Sequence, residues 1–194
     1  MNSEILSILK ETGAFLEGHF ELSSKLHSPN YVQCALVLQY PEFAEKIARL
    51  LAESFENKKI KVVIAPALGG IVICHEVARV LGARAIFAER LSSGEMTLRR
   101  GFKIESGENV LVVEDVVTTG RSTKVIIGLV EKAGGAILGC GFIVDRSSGK
   151  VSFHQDTKAL LTLEMKTYNP DDCPLCREGI PLVKPGSRGK LKGA

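Results

Sequence analysis

The sequence predicts a doubly wound α/β domain on a mainly parallel sheet, and three observations predict it. Short continuous apolar runs, KVVIA at 61–65, AIFA at 85–88, NVLVVE at 109–114 and ILGCGFIV at 137–144, read as strands buried on both faces. Helical patterns at 71–81 and 122–132 connect the first and third of these to the strands that follow, as parallel pairing requires. Glycines stop both helices, Gly82 after the first and Gly134-Gly135 after the second. With 194 residues, 45% of them hydrophobic, the chain has the material for one core and a single domain.

Ahead of the sheet, Asn2 caps a short helix with Ile5, Leu6 and Leu9 on one face, and Thr12-Gly13 stops it. Residues 19–34 lack a helical period and read as short strands and turns. A second helix starts with Pro41 in its first turn and runs to about Phe55, with Phe43, Ile47, Leu50 and Leu51 as its apolar stripe. Residues 89–108, with Gly94, Gly101, Gly107 and many polar side chains, are too long for an ordinary connection and read as a functional loop. A last strand falls near 158–163, before a tail rich in proline and glycine. The expected division is a flank to about residue 40, a core over 41–165 and a tail over 166–194.

The formal charge of +3 is mostly a tail: Lys184, Arg188, Lys190 and Lys192 more than account for it and leave the first 183 residues at −1. A body so nearly neutral does not suit a dedicated nucleic-acid surface. The N-terminus has no cationic segment followed by an apolar core, and no uncharged run reaches the ~18 residues of a membrane span. The expectation is a cytoplasmic protein with neither nucleic acid nor membrane as partner. Cys34, Cys74 and Cys140 lie in apolar surroundings and read as reduced, packed thiols. Cys173 and Cys176 form one CxxC with no second pair, and His19, His27, His75 and His154 show no metal spacing, so no protein-held metal is expected and the CxxC reads as a surface turn.

The chemistry concentrates in VLVVEDVVTTGRS at 110–122. Val110–Val113 deliver a strand end, the place where parallel sheets bind ligands, and Glu114 and Asp115 follow. Thr118, Thr119 and Ser122 offer hydroxyls, Gly120 permits close backbone approach, and a helix starting at about Ser122 points free N–H groups and a positive dipole end outward. That half suits a phosphate. The carboxylates suit paired hydroxyls and repel a phosphate beside them. Vicinal hydroxyls on one side and a monophosphate on the other describe a ribose 5-phosphate. No GxxxxGK[ST] occurs, and Gly139-Cys140-Gly141 lies within a strand, so neither a phosphate-loop NTPase nor a dinucleotide-binding fold is supported.

The same stretch resembles the phosphoribosyl-pyrophosphate signature of the type I phosphoribosyltransferases. HFELSSKLHSPNYVQ at 19–33, APALGGI at 65–71, FAERLSSGEMTLRRGFK at 87–103, VDR at 144–146 and YNPDDCPLCREGIPLVKPGSRG resemble the orotate branch in particular. The resemblance implies that family's fold with a small N-terminal hood, to which Ser23, Ser24 and Lys25 belong. It implies Mg²⁺-dependent transfer of a phosphoribosyl group from phosphoribosyl pyrophosphate to orotate, by a homodimer with shared active sites and with Mg²⁺ held mainly through substrate. Phosphoribosyl pyrophosphate would be bound by Glu114, Asp115, Val116, Val117, Thr118, Thr119, Gly120, Arg121 and Ser122, with Arg99 and Arg100. Orotate would be bound by Thr118 and Arg146, and catalysis carried by Asp115, Lys103 and Arg90.

Each segment has its own physical reading. Pro66–Gly70, at a second strand end, offers backbone N–H groups to a pyrophosphate. Some orotate enzymes carry a lysine in this loop where Leu68-Gly69 stand here, so the charge must be met by backbone, Mg²⁺ or other residues. Residues 90–103 hold Arg90, Arg99, Arg100 and Lys103 against Glu95 alone. A solvated basic hairpin is the plain alternative to the mobile lid that the resemblance implies, reaching across the dimer to the partner's site. Arg146 has the fork geometry to clamp a carboxylate, or it forms a surface ion pair. A purine-type phosphoribosyltransferase shares the 110–122 signature. A non-enzymatic sensor of the same ligand that binds nucleic acid has only the basic tail in its favour.

Overall fold

The computed structural model describes residues 2–22 and 24–185. Ser23 of the expected hood and Arg188, Lys190 and Lys192 of the tail lie outside the described residues. α1 (Asn2–Glu11) buries Ile5, Ile8 and Leu9, and the chain leaves it through Gly13 at φ +68°. β1 (Phe15–Glu21) and β2 (His27–Val32) form an antiparallel pair, as the loss of helical period at 19–34 suggests. A single turn, α2 (Ala35–Leu38), follows from the apolar run ALVL, which the sequence reading passed over. α3 (Pro41–Glu53) starts on its proline as expected, but its buried stripe is shifted by about one residue, to Ala44, Ile47, Ala48, Leu51 and Ala52, with Phe43 and Leu50 at the margins. Leu51 packs close on the strand that carries Gly141, where a Cβ would stand 3.2 Å from it.

The sheet then alternates with helices in the predicted order: β3 (Val62–Pro66), α4 (Gly70–Leu81), β4 (Arg84–Arg90), β5 (Met96–Leu98), β6 (Asn109–Val117), α5 (Arg121–Lys132), β7 (Ala136–Asp145) and β8 (Thr157–Thr162). The strand order is β5-β4-β3-β6-β7-β8, all parallel except β5, which pairs antiparallel with β4 at the edge. Part of the expected loop at 89–108 is thus strand. Met96 is buried and closes the core, which a surface loop would leave open.

Side-chain parity along the strands divides the core in two. Val63, Ala65, Leu111 and Val113 face α1, α3 and α4, whereas Val62, Ile64, Val110 and Val112 face α5. From β3 the chain builds outward through β4 and β5, then returns past β3 to lay β6 on its other side. The reversal leaves a crevice at the carboxyl ends of β3 and β6, where open α/β sheets bind ligands.

The end of the chain returns to its beginning. The backbones of His27 and Tyr168 exchange two 2.9 Å hydrogen bonds, Val183 N–H donates to the His19 carbonyl and Glu21 N–H to the Val183 carbonyl, each at 2.8 Å. Between these bridges lies α6 (Pro174–Arg177), entered from Cys173. The CxxC therefore does open a helical turn, and Cys173 is 1% exposed instead of lying on the surface.

Candidate active site at the ends of the central strands

Two helices begin at the crevice, one beyond each strand. After β3 the chain turns through Ala67, Leu68 and Gly69 into α4, with a cis peptide between Ala67 and Leu68. After β6 it turns through Thr118, Thr119 and Gly120 into α5, one residue earlier than the sequence suggested. The first bond of α5 runs from Lys124 N–H to the Gly120 carbonyl, so the N–H groups of residues 121–123 stand ahead of the ladder. Both turns thus present free donors and positive dipole ends to one crevice, a preformed anion site. Thr119, Arg121, Lys124 and Val125 line an open depression at the start of α5.

β6 does not end before the acids but continues through Val117, held by pairing to Phe142–Asp145 of β7. Consecutive strand residues project to opposite faces, so Glu114 and Asp115 diverge. Glu114 lies on the α5 side, where the buried Thr123 hydroxyl donates to its Oε2 at 2.6 Å. Burial pushes its carboxyl up to about 7, despite that hydrogen bond. Asp115 lies on the other side, against the first turn: its carboxylate oxygens sit 2.7 and 2.9 Å from where a Gly69 Cβ would stand. Burial raises its pKa as well. Only glycine at 69 leaves Asp115 its place, and neither carboxyl has a cation paired to it in the described structure. A hydrogen-bond donor or cation brought to either would favour its ionised form.

Gly120 is needed for a different reason from the one its sequence position suggests. Its φ is +68°, and a Cβ there would run into the ring of Phe153 and come within 2.8 Å of Val151. The space against it is filled by protein, so packing and not ligand approach demands glycine. Thr118 and Thr119 are exposed, Val116 half-buried and Val117 buried.

Arg146 follows β7, and its backbone N–H bonds Val117, which brings it to the end of β6. Its Nε is buried and has no hydrogen-bond partner among the described residues. It forms no ion pair there either, and burial works against its charge. Asp145 does not pair with it but accepts from the N–H groups of Ser147 and Gly149 at 2.6 and 3.0 Å. A buried guanidinium nitrogen without an acceptor is a group awaiting one. Tyr31 of β2 is close enough to interact electrostatically with both Arg146 and Asp115, which brings the N-terminal hairpin to the site. The sequence reading quoted Tyr31 within a motif but gave it no role, and it missed Thr123 altogether.

The loop cations separate into two groups. Arg100 makes a bidentate pair with Glu89 at 2.7 and 3.0 Å and lies over Phe87, and Arg90 donates to the Gly94 carbonyl at 2.6 Å. These two are engaged in the local hairpin. Arg99 and Lys103 are exposed, and neither forms an ion pair among the described residues.

Away from the crevice, His19, His27, Cys173 and Cys176 place one donor atom each within 4.8 Å of one another. This corrects the expectation that the histidines lack metal spacing: residues too far apart in sequence to suggest a site are joined by the fold.

A model of the phosphoribosyl transferase domain matches residues 35–172. The orotate phosphoribosyltransferase of Caldicellulosiruptor saccharolyticus is 59% identical over 189 residues, 97% of this chain and 98% of that one. The orotate phosphoribosyltransferase of Pelotomaculum thermopropionicum is 56% identical over 185 residues, 95% and 97% of the two chains. Among solved structures, the orotate phosphoribosyltransferase of Aeropyrum pernix shares the fold, with a TM-score of 0.64 at 24% identity over 93% of this chain and 91% of that one.

Proposed function

The chain belongs to the phosphoribosyl transferase family and to its orotate phosphoribosyltransferase branch, and from that membership we propose how its own residues carry the reaction. The 5-phosphoribosyl group passes from phosphoribosyl pyrophosphate to N1 of orotate: the bond from the anomeric carbon to the pyrophosphate oxygen breaks, the bond to N1 forms as N1 gives up its proton to water or to the leaving pyrophosphate, and orotidine 5′-phosphate and pyrophosphate leave. Positive charge develops on the ribose and negative charge on the leaving group, so positioned charge matters more than proton transfer.

The 5-phosphate sits on the free N–H groups of residues 121–123 with the hydroxyls of Thr118, Thr119 and Ser122. Asp115, and Glu114 held by Thr123, take the ribose hydroxyls, whose donation would draw both carboxyls toward the ionised form. The pyrophosphate lies against the turn Pro66–Gly70. A magnesium ion would be held mainly through phosphate and water oxygens, with Asp115 beside the turn as the one carboxylate able to bond those waters, as suits an ion that sheds water reluctantly. When bound, Mg²⁺ supplies charge to stabilise the leaving pyrophosphate. In a homodimer, Lys103 and Arg99 of the hairpin, whose charges are not spent within it, complete that neutralisation.

The observation that carries the choice of base is the unsatisfied Nε of Arg146, which a carboxylate meets with both an acceptor and a charge, whereas an unsubstituted pyrimidine or a purine offers only a neutral acceptor. Tyr31 and Thr118 flank the base. The proposed reaction is a step of pyrimidine nucleotide synthesis; among the described residues no helix is long and apolar enough to cross a membrane. Incubation with phosphoribosyl pyrophosphate, Mg²⁺ and a panel of bases tests it, with turnover of orotate alone expected. Turnover of purines, or binding without turnover, overturns it.

A further inference from the structure

We infer that His19, His27, Cys173 and Cys176 form a structural Zn²⁺ site that fastens the C-terminal segment to the N-terminal hairpin. His19 Nε2 lies 2.9 Å from His27 Nδ1, 3.5 Å from Cys173 Sγ and 3.7 Å from Cys176 Sγ, and Cys176 Sγ lies 3.3 Å from His27 Nδ1. In a tetrahedral site with Zn–N of about 2.0–2.1 Å and Zn–S of about 2.3 Å, donor atoms stand roughly 3.3–3.8 Å apart. The two sulfur distances from His19 and the one from His27 to Cys176 fall in that range, the histidine pair would open by a few tenths of an ångström, and all four donors lie within 4.8 Å of one another.

The surroundings prepare the ligands. His19 Nδ1 lies 2.7 Å from the Ile180 carbonyl, which can only accept, so the proton is on Nδ1 and the lone pair of the neutral ring on Nε2, toward the cluster. The backbone of each histidine is bonded to the tail, His27 to Tyr168 ahead of the cysteines and His19 to Val183 after them, so the frame exists apart from any ion. His19, His27 and Cys173 are 2, 5 and 1% exposed, while Cys176 is exposed and leaves a route for entry. Charge selects the ion further. Zn²⁺ displaces one proton from each thiol, and two thiolates with two neutral imidazoles leave a site of zero net charge, suited to burial. Soft sulfur and borderline nitrogen favour zinc over magnesium or calcium.

None of the four residues belongs to the crevice, so metal content can be measured without reference to the reaction. The test uses the full chain, purified from zinc-supplemented medium without chelators or a histidine tag, dialysed and analysed for metal by mass spectrometry. The expected result is about one zinc per chain, falling below about a fifth in Cys176→Ser and in His19→Ala. Cys176→Ser alters an exposed side chain and should fold. Replacing zinc by Co²⁺ in the wild type should give the intense ligand-field bands of a tetrahedral site with thiolate charge transfer, and stripping the metal should lower Tm. A wild type that takes up neither ion, a Cys173–Cys176 disulfide in protein prepared under reducing conditions, or zinc retained in full by both variants would overturn the proposal.

Discussion

The crevice at β3 and β6 and the cluster under the hairpin are both gatherings of polar side chains, and they differ in how far those side chains satisfy one another. In the crevice, among the described residues, Asp115 has no cation, Arg146 Nε has no acceptor, and two helices begin with their N–H ends toward it. In the cluster, four donors sit at contact distance with their backbones tied. The first holds its charges apart, so that binding energy is released only when substrate arrives. The second has its geometry made in advance and adds rigidity. An active site stays incomplete at a cost to stability that the surrounding fold offsets.

The sharpest way to break that contrast is to remove the unsatisfied cation. Arg146→Ala should raise KM for orotate by roughly 10²–10³-fold, since losing one partner of a buried charge pair costs about 2–5 kcal/mol, and leave KM for phosphoribosyl pyrophosphate within about threefold. Equal losses for both substrates would remove the residue from the base subsite. The hairpin offers the next test. Lys103→Ala should lower kcat by on the order of 10²-fold, the scale of one lost transition-state charge, whereas Arg100→Ala, already paired with Glu89, should cost far less.

Effects on stability are smaller. Gly120→Ala meets both a left-handed backbone and Phe153, and should destabilise by about 2–4 kcal/mol in thermal or urea unfolding. Glu114 gives the smallest and most diagnostic effect. Its folded pKa of about 7 exceeds the ordinary 4.5, so the folded state holds a proton that the unfolded state releases between those values, and the group's contribution falls as pH rises. Glu114→Gln should therefore be more stable than the wild type by roughly 1–3 kcal/mol above pH ~7, with the gap closing toward pH ~4.5. A gap that does not change with pH would show that Glu114 is ionised in the free enzyme.

The crevice was largely legible in the sequence because it is local: thirteen consecutive residues carry the strand, the acids, the turn and the start of the helix. What could not be read there came from pairing between distant segments. β6 runs on through two acids because β7 lies alongside to pair with it, and ladder bonds override the weak strand propensity of Glu and Asp. That continuation sends Glu114 and Asp115 to opposite faces, which the bare dipeptide does not disclose. β5 was hidden in a polar stretch, and it contributes one buried residue, Met96. The cluster was hidden most completely, since His19 and Cys173 are separated by 154 positions and local spacing rules examine each motif alone. The usable signal was that one CxxC and two histidines in a single strand-turn-strand segment already make a full tetrahedral set.

The backbone bridges between His27 and Tyr168 and between His19 and Val183 also set an order of events during synthesis. The first hairpin to leave the ribosome pairs within itself, but its outer partners, Tyr168 and Val183, lie far along the chain. Sheet and helices can assemble from contacts nearer in sequence, but closing the ends together spans nearly the whole chain and carries the largest loop entropy of the fold. Tyr31 rides on that hairpin, so whatever loosens the join of the two ends also loosens the support of the residue that stands near Arg146 and Asp115.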